Sequence, residues 1–175
     1  MGWICSANSA KSADMIPRAQ KSPIPLDVCH LAKAIDILGD RWTLLILRGA
    51  LFGVRRFDDF QKELNIPRTV LSGRLGKLVK NGVLTKQVYK EDGKRARPEY
   101  VLTEAGEALR PVLMGLNHWG DAWASDGAAP LMTFTHAKSR QKVRAGFGDE
   151  EGNETSLGEL RVSWRRWRDS PKSTH

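Results

Sequence analysis

The sequence predicts a mainly α (α+β) fold, a winged helix-turn-helix with flanking dimerisation helices, and three observations within residues 67–102 carry that prediction. Pro67 presets the backbone for a first helical turn. Leu71, Leu75 and Leu78 then recur at the spacing of one helical face, with Val79 beside them. The opposite face holds Thr69, Gly73, Gly76, Lys77 and Lys80, which are small or basic and unsuited to a core. Asn81-Gly82 tolerates a left-handed backbone and ends the helix. Beyond it, residues 83–89 and 99–102 are rich in β-branched and aromatic side chains. They flank the turn-prone, charged stretch KEDGKRARP and read as the two strands of a wing. Charge is the third observation: residues 67–97 hold nine Lys/Arg against two acids, a local net of +7 in a chain whose total is +8.

The helices before the wing follow from periodicity and stop signals. From Asp27 onward, Val28, Leu31, Ala32, Ile35 and Leu38 fall on one stripe, which Gly39 stops. A second helix over about 41–52 carries Trp42, Leu44, Leu45, Ile46, Leu47 and Leu51 on nearly every side and stops at Gly53, the pattern of a central buried helix. Interrupted by Arg48, it is too short to span a membrane, which needs about 20 apolar residues. The run RFDDFQKEL forms a third, with Phe57, Phe60 and Leu64 together and Asp58 and Asp59 at the positive end of its dipole. Asn65-Ile66-Pro67 turns into the next helix, giving helix, turn, helix.

After the wing, Thr103 is placed to cap a helix whose first turn holds Glu104. Leu109, Val112, Leu113, Leu116, Trp119 and Trp123 continue its stripe, and Pro111 is expected to kink rather than end it because the period resumes at once. So long an apolar face needs cover, and the same helix of a second subunit is the simplest candidate. Residues 1–25 are small, polar and proline-punctuated and read as a disordered leader. Residues 26–126 form the domain, and residues 127–175 are an appended tail in which LMTFTHA alternates like one strand.

Composition narrows the function. With 175 residues, 41% hydrophobic and 27% charged, the chain suits one ordinary domain plus extensions. A pI of about 9.8 favours a polyanionic partner. Two cysteines are too few for a disulfide scaffold, which makes a reducing cytosol the expected location.

The run DVCHLAKAIDILGDRWTLLILRGALFGVRRFDDFQKEL, followed by LSGRLGKLVKNGVL, RPEYVLTEAG and LNHWGDAW, closely resembles the HxlR-type winged helix-turn-helix transcription regulators of bacteria, in the MarR-like superfamily. The resemblance covers about residues 26–126. GDRWTLLILR, RFDDFQ and EYVLTEAG stand in the family's order and spacing. It implies a cytoplasmic homodimer on a pseudo-palindromic double-stranded DNA operator, usually as a repressor and sometimes as an activator. Dimerisation through the first and last helices of the domain makes Leu31, Ile35, Leu113, Leu116, Trp119 and Trp123 the interface candidates. Many members carry a cysteine where Cys29 stands, and in some it senses oxidants or electrophiles; the resemblance thus leaves a redox role for Cys29 and a small-molecule or electrophile effector open. His30 stands where proline is frequent, and Gly73 and Gly76 where larger polar side chains are frequent, leaving base readout to fewer groups. Some relatives' tails carry cysteine pairs; residues 127–175 contain none, so neither metal nor cofactor is expected.

The candidate DNA-binding residues are Arg68, Thr69, Ser72, Gly73, Lys77, Lys80, Lys94, Arg95 and Arg97. Thr69, Ser72 and Lys77 are placed to reach base edges, and Lys80, Lys94, Arg95 and Arg97 to meet the backbone or minor groove. Arg74 lies nearer the leucine face, where a salt bridge is the alternative. Each signal has a plainer reading. Cys29 can be a small buried hydrophobe, and the histidines at 30, 118, 136 and 175 lack ligand spacing. GFGDEEG misses the dinucleotide fingerprint by one residue with no helix pattern after it, and WRRWR can be a solvated tail. The alternative function is a winged-helix protein-interaction module without specific DNA binding. An enzyme is not expected, because no nucleophile, base and orienting group can be named together.

Overall fold

A computed structural model of the chain describes residues 22, 24–89, 97–161 and 163. Its order is α1 (His30–Leu38), α2 (Arg41–Leu51), α3 (Phe57–Leu64), α4 (Arg68–Lys80), β1 (Leu84–Tyr89), β2 (Arg97–Leu102), α5 (Glu104–Glu107), α6 (Arg110–Trp123), β3 (Phe147–Gly148) and β4 (Glu154–Thr155). Two compact units are distinguished, Lys33–Ala145 and the remainder. The expected winged helix-turn-helix is present.

The core of the larger unit collects apolar side chains from α2, α3, α4, the turn before α4 and the wing. Ile46 and Leu47 of α2, Phe60 of α3, Ile66 of the turn, Leu71, Leu75 and Leu78 of α4, and Val83, Leu84 and Tyr100 of the wing are all buried. The leucine stripe of α4 is thus its inner face. Phe60 is fully buried, and its truncation to alanine should cost about 3–5 kcal/mol. Gly49 on α2 lets Phe60 approach: a Cβ there would lie 3.2 Å from Phe60 Cε1.

Termini are set by particular residues. The α2–α3 corner turns at Gly53, at φ 88°, and α3 stops at Asn65, at φ 47°. At the end of α4 only Gly82 takes positive φ, 69°, while Asn81 stays at −91° and its side chain donates to the Lys77 carbonyl at 2.8 Å. β1 and β2 pair antiparallel from Leu84↔Leu102 to Tyr89↔Arg97. The α2–α3 linker joins β2 through an Arg56↔Glu99 bridge and a Tyr100 N–H donated to the Arg55 carbonyl at 2.8 Å. β1 starts one residue later than the sequence expectation and β2 two residues earlier, and Pro98 is accommodated opposite Val88 in a two-stranded sheet where its missing N–H is tolerated.

Three sequence expectations are corrected. α1 begins at His30, not Asp27, because residues 25–29 form turns in which Val28 and Cys29 donate to the carbonyls of Pro25 and Leu26. Cys29 therefore precedes the helix and does not lie in its first turn. Pro111 does not kink a long helix. α5 ends at Glu107 and a new helix starts at Arg110 with Pro111 in its first turn, where no intrahelical N–H is needed. LMTFTHA is not a strand, since its pairing is limited to an isolated Thr135↔Lys142 bridge and Leu131 is fully exposed.

The segment after α6 is held by His118, whose Nδ1 accepts the Ala145 N–H at 3.3 Å and whose ring meets Phe134 edge-on at 5.7 Å. In the smaller unit, β3 and β4 form a short hairpin. Asp149 organises its turn by accepting from the backbone of Glu151 and Asn153 and from the Asn153 side chain. GFGDEEG is therefore a hairpin turn and opens no helix.

Candidate nucleic-acid interface

The outer face of α4 is the candidate reading surface. Thr69, Ser72, Gly73, Gly76 and Lys80 are all exposed along it. A Cβ built on Gly73 or Gly76 would meet nothing within 4 Å, so the backbone itself is accessible there. The leucines opposite fix this orientation, since turning α4 outward would expose all three.

Two basic residues of α4 point elsewhere. Arg74 Nε lies 2.9 Å from Asp40 Oδ1, so the salt-bridge alternative holds for Arg74. Lys77, half-buried, donates its ammonium to the Asp36 carbonyl in the last turn of α1, where carbonyls lack intrahelical partners. Together they fasten the recognition helix to the α1–α2 corner.

Asp40 is the hub of that corner. It is the N-cap of α2, accepting from the backbone of Trp42 at 3.0 Å and Thr43 at 3.2 Å, and it also takes the buried Thr43 hydroxyl. Partial burial works to raise its pKa, but the hydrogen bonds from Thr43 and Arg74 outweigh it and hold the carboxyl below its ordinary value. Apolar periodicity, which stops the first helix at Gly39, gives Asp40 no role. Its place just before an apolar helical run is the local signal that marks it as an N-cap.

A second cluster joins α3, α4 and the wing. Arg68 lies 3.4 Å from Asp58 Oδ1, and Arg97 lies 3.5 Å from Asp58 Oδ2. Arg68 also donates to Gln61 Oε1 at 2.8 Å and sits over the Phe57 ring at 4.9 Å. Local sequence gives Asp58 a favourable place on the helix dipole and nothing that links it to Arg97. On the wing, Lys86 lies over Tyr100 and Arg56 over Tyr89, at 5.7 and 4.5 Å from the ring centroids. Lys94 and Arg95 fall outside the described residues, as do WRRWR and most of the leader.

The dimer candidates divide. Leu31 and Ile35 of α1 are exposed, as are Leu116, Trp119 and Trp123 of α6. Leu113 instead packs partly buried against the core, and Val112, exposed at one end of the α6 stripe, takes the outward position. Cys29 is a half-buried free thiol. Among the described residues no cluster suited to a metal occurs, and no helix is long and apolar enough to cross a membrane.

The family model described as HxlR-like helix-turn-helix matches residues 37–128, more than half of the chain. The chain belongs to the HxlR-like helix-turn-helix family. Among HxlR-like relatives, an HTH-type transcriptional regulator of Mycobacterium tuberculosis is 42% identical over 106 residues, which make up 61% of this chain and 66% of that protein. The match therefore spans just under two thirds of that relative's length. The crystal structure of PA1607, a candidate transcription factor, superposes with a TM-score of 0.66 at 33% identity, covering 78% of this chain and 94% of that one. A second candidate transcription factor, PA1374 of Pseudomonas aeruginosa, gives 0.55 at 32% identity over 82% and 96%. The HxlR-like match takes in α2 to α6, and with them the open face of α4, the wing and the exposed stripe of α6.

Proposed function

We propose that this protein is a sequence-specific DNA-binding transcription regulator that acts in the cytoplasm as a homodimer, as a repressor on a pseudo-palindromic operator. The observation that carries the reading is the open outer face of α4, flanked by Arg68 at its start and by Lys86 and Arg97 on the wing. An exposed helix of small polar residues with basic groups at its margins suits a major groove, with phosphates fixing its register and short side chains meeting base edges. Readout falls to Thr69 and Ser72, with Gly73 beside them allowing close approach; Lys80, Lys94, Arg95 and Arg97 meet phosphates or the minor groove. Lys77 supports the helix from the Asp36 carbonyl.

In the dimer, Leu31 and Ile35 of α1 and Leu116, Trp119 and Trp123 of α6 are covered by a second copy. Two recognition helices then address half-sites centred about one helical turn, roughly 34–36 Å, or a multiple of it apart. The test is footprinting on the promoter region beside the gene together with a salt titration. Two protected half-sites and an affinity falling steeply with salt, by about 0.9 logarithmic units per decade for each phosphate contact, are expected. A single isolated half-site, or affinity indifferent to salt, overturns the reading in favour of a protein-interaction module.

A further inference from the structure

The cluster at Asp58 is unusual for a surface meant to meet DNA, because it places a carboxylate between two of the interface's arginines. Its two oxygens are divided, Oδ1 towards Arg68 at 3.4 Å and Oδ2 towards Arg97 at 3.5 Å. One arginine opens the recognition helix and the other begins the second wing strand, so a single acid on α3 spans the two elements that would straddle a DNA backbone. All three side chains are more than 60% exposed, so the cluster does not serve the core.

We propose that Arg68 and Arg97 form one phosphate-binding clamp and that Asp58 occupies it in the free protein as a stand-in for the phosphate. This rests on the DNA-binding reading and deepens it. Two guanidinium groups converging on one carboxylate are arranged to converge on one phosphodiester, which offers the same pair of anionic acceptor oxygens. Arg68 is braced for that role by Gln61 Oε1 at 2.8 Å and by the Phe57 ring, so its head stays near the site when Asp58 releases it. Arg97 is braced by the β1–β2 ladder opposite Tyr89. The exchange is pure ion pairing: the phosphate takes both guanidinium groups and Asp58 turns to solvent.

An acid left beside the phosphate repels it, so Asp58 lowers affinity for any DNA backbone. The same phosphate contact serves specific and random sequences, so the penalty falls on both alike and leaves the ratio between them unchanged, while occupancy of DNA comes to depend more on the base contacts of α4. Asp58 thereby sets the strength of backbone attachment without touching a base.

The test is fluorescence anisotropy with a labelled random-sequence duplex of about two helical turns, titrated between about 50 and 200 mM salt. It uses full-length wild type, Asp58→Asn, Arg97→Ala and the double variant Asp58→Asn/Arg97→Ala. Asp58→Asn is expected to bind this duplex about three- to ten-fold more tightly at the lowest salt, the effect of removing one nearby like charge at an exposed site. Its salt dependence is expected to steepen by about 0.9. The double variant is expected to lose that gain, because the clamp then lacks one jaw. Equal binding by wild type and Asp58→Asn overturns the proposal while leaving the DNA reading intact. So does weaker binding by Asp58→Asn with an unchanged salt slope, the signature of a residue that merely shapes the surface. Absence of any salt-dependent binding by wild type overturns both.

Discussion

Arg74 on the recognition helix holds the same Asp40 carboxylate oxygen that caps α2, at 2.9 Å, so one acid both starts the central helix and orients the helix proposed to read DNA. Replacing Asp40 with alanine removes the cap and leaves the buried Thr43 hydroxyl without its acceptor. The expected loss is about 1–3 kcal/mol in a urea unfolding experiment. Arg74→Ala, which leaves the cap in place, should cost less. Because the folded-state pKa of Asp40 is depressed, its contribution is complete above the ordinary value of about 3.9 and is lost as pH falls through the folded value. The stability gap between wild type and Asp40→Asn should therefore be constant near neutrality and close in acid. A gap that widens as pH falls below about 4 would show that the carboxylate is not stabilised by folding.

Two glycines predict opposite outcomes for the same substitution. A Cβ on Gly106 would run into the Val83 carbonyl and lie 2.8 Å from Leu102 Cδ2. That carbonyl is held by the backbone and hydroxyl of Thr103, both at 3.1 Å, so it cannot give way freely. Gly106→Ala should destabilise by roughly 1–3 kcal/mol, the usual range for overpacking. At Gly73, where nothing lies within 4 Å, alanine should stabilise α4 by about 0.5–1 kcal/mol. Thermal unfolding of both variants checks the pair. If the α4 backbone approaches DNA closely, Gly73→Ala should also bind more weakly despite its higher melting temperature.

The roles assigned along α4 separate in a binding-site selection experiment. Ser72→Ala should relax preference at one base position and cost about 1–3 kcal/mol there. Lys77→Met removes the link to the Asp36 carbonyl and should weaken all sequences alike with the preference intact. Lys77→Met that changes the preferred base instead would place its side chain in the groove.

How far the sequence reached can be judged from these residues. The leucine stripe of α4, the glycine stops and the β-branched runs of the wing are local patterns with one solution each, and each is found where the pattern puts it. The errors arise where two local signals compete. Pro111 sits within an uninterrupted apolar period that favours one continuous helix, whereas the chain breaks after Glu107 and the proline opens a new helix. Leu113 and Val112 are adjacent on one stripe, and periodicity cannot say which faces the chain's own core. Lys77 looks like any basic residue on a DNA-facing helix, because its acceptor is a backbone carbonyl on another helix. Asp58 with Arg97 was illegible for the same reason, since the pairing exists only once the wing folds beside α3.

The division of α6 into an exposed stripe and a core-facing Leu113 makes assembly testable. Val112, Leu116, Trp119 and Trp123 are 51%, 49%, 61% and 69% exposed, a continuous apolar stripe on a helix with no buried residue. A patch of this kind is unusual on a monomer and is what a self-complementary two-fold contact requires. Leu116→Glu with Trp119→Glu should therefore yield a monomer in sedimentation, with circular dichroism close to wild type because neither side chain serves the core. Leu113→Ala is the contrasting variant. It should lower unfolding stability by about 2 kcal/mol or more through a core cavity, and more than it shifts the monomer–dimer equilibrium. Wild-type melting temperature should rise with protein concentration, as expected when association stabilises the folded form, and the double-charge variant should show no such dependence. Operator affinity of that variant should fall to that of a single half-site. A wild type that sediments as a monomer at micromolar concentration, with a melting temperature independent of concentration, would remove the dimer and the paired half-sites together.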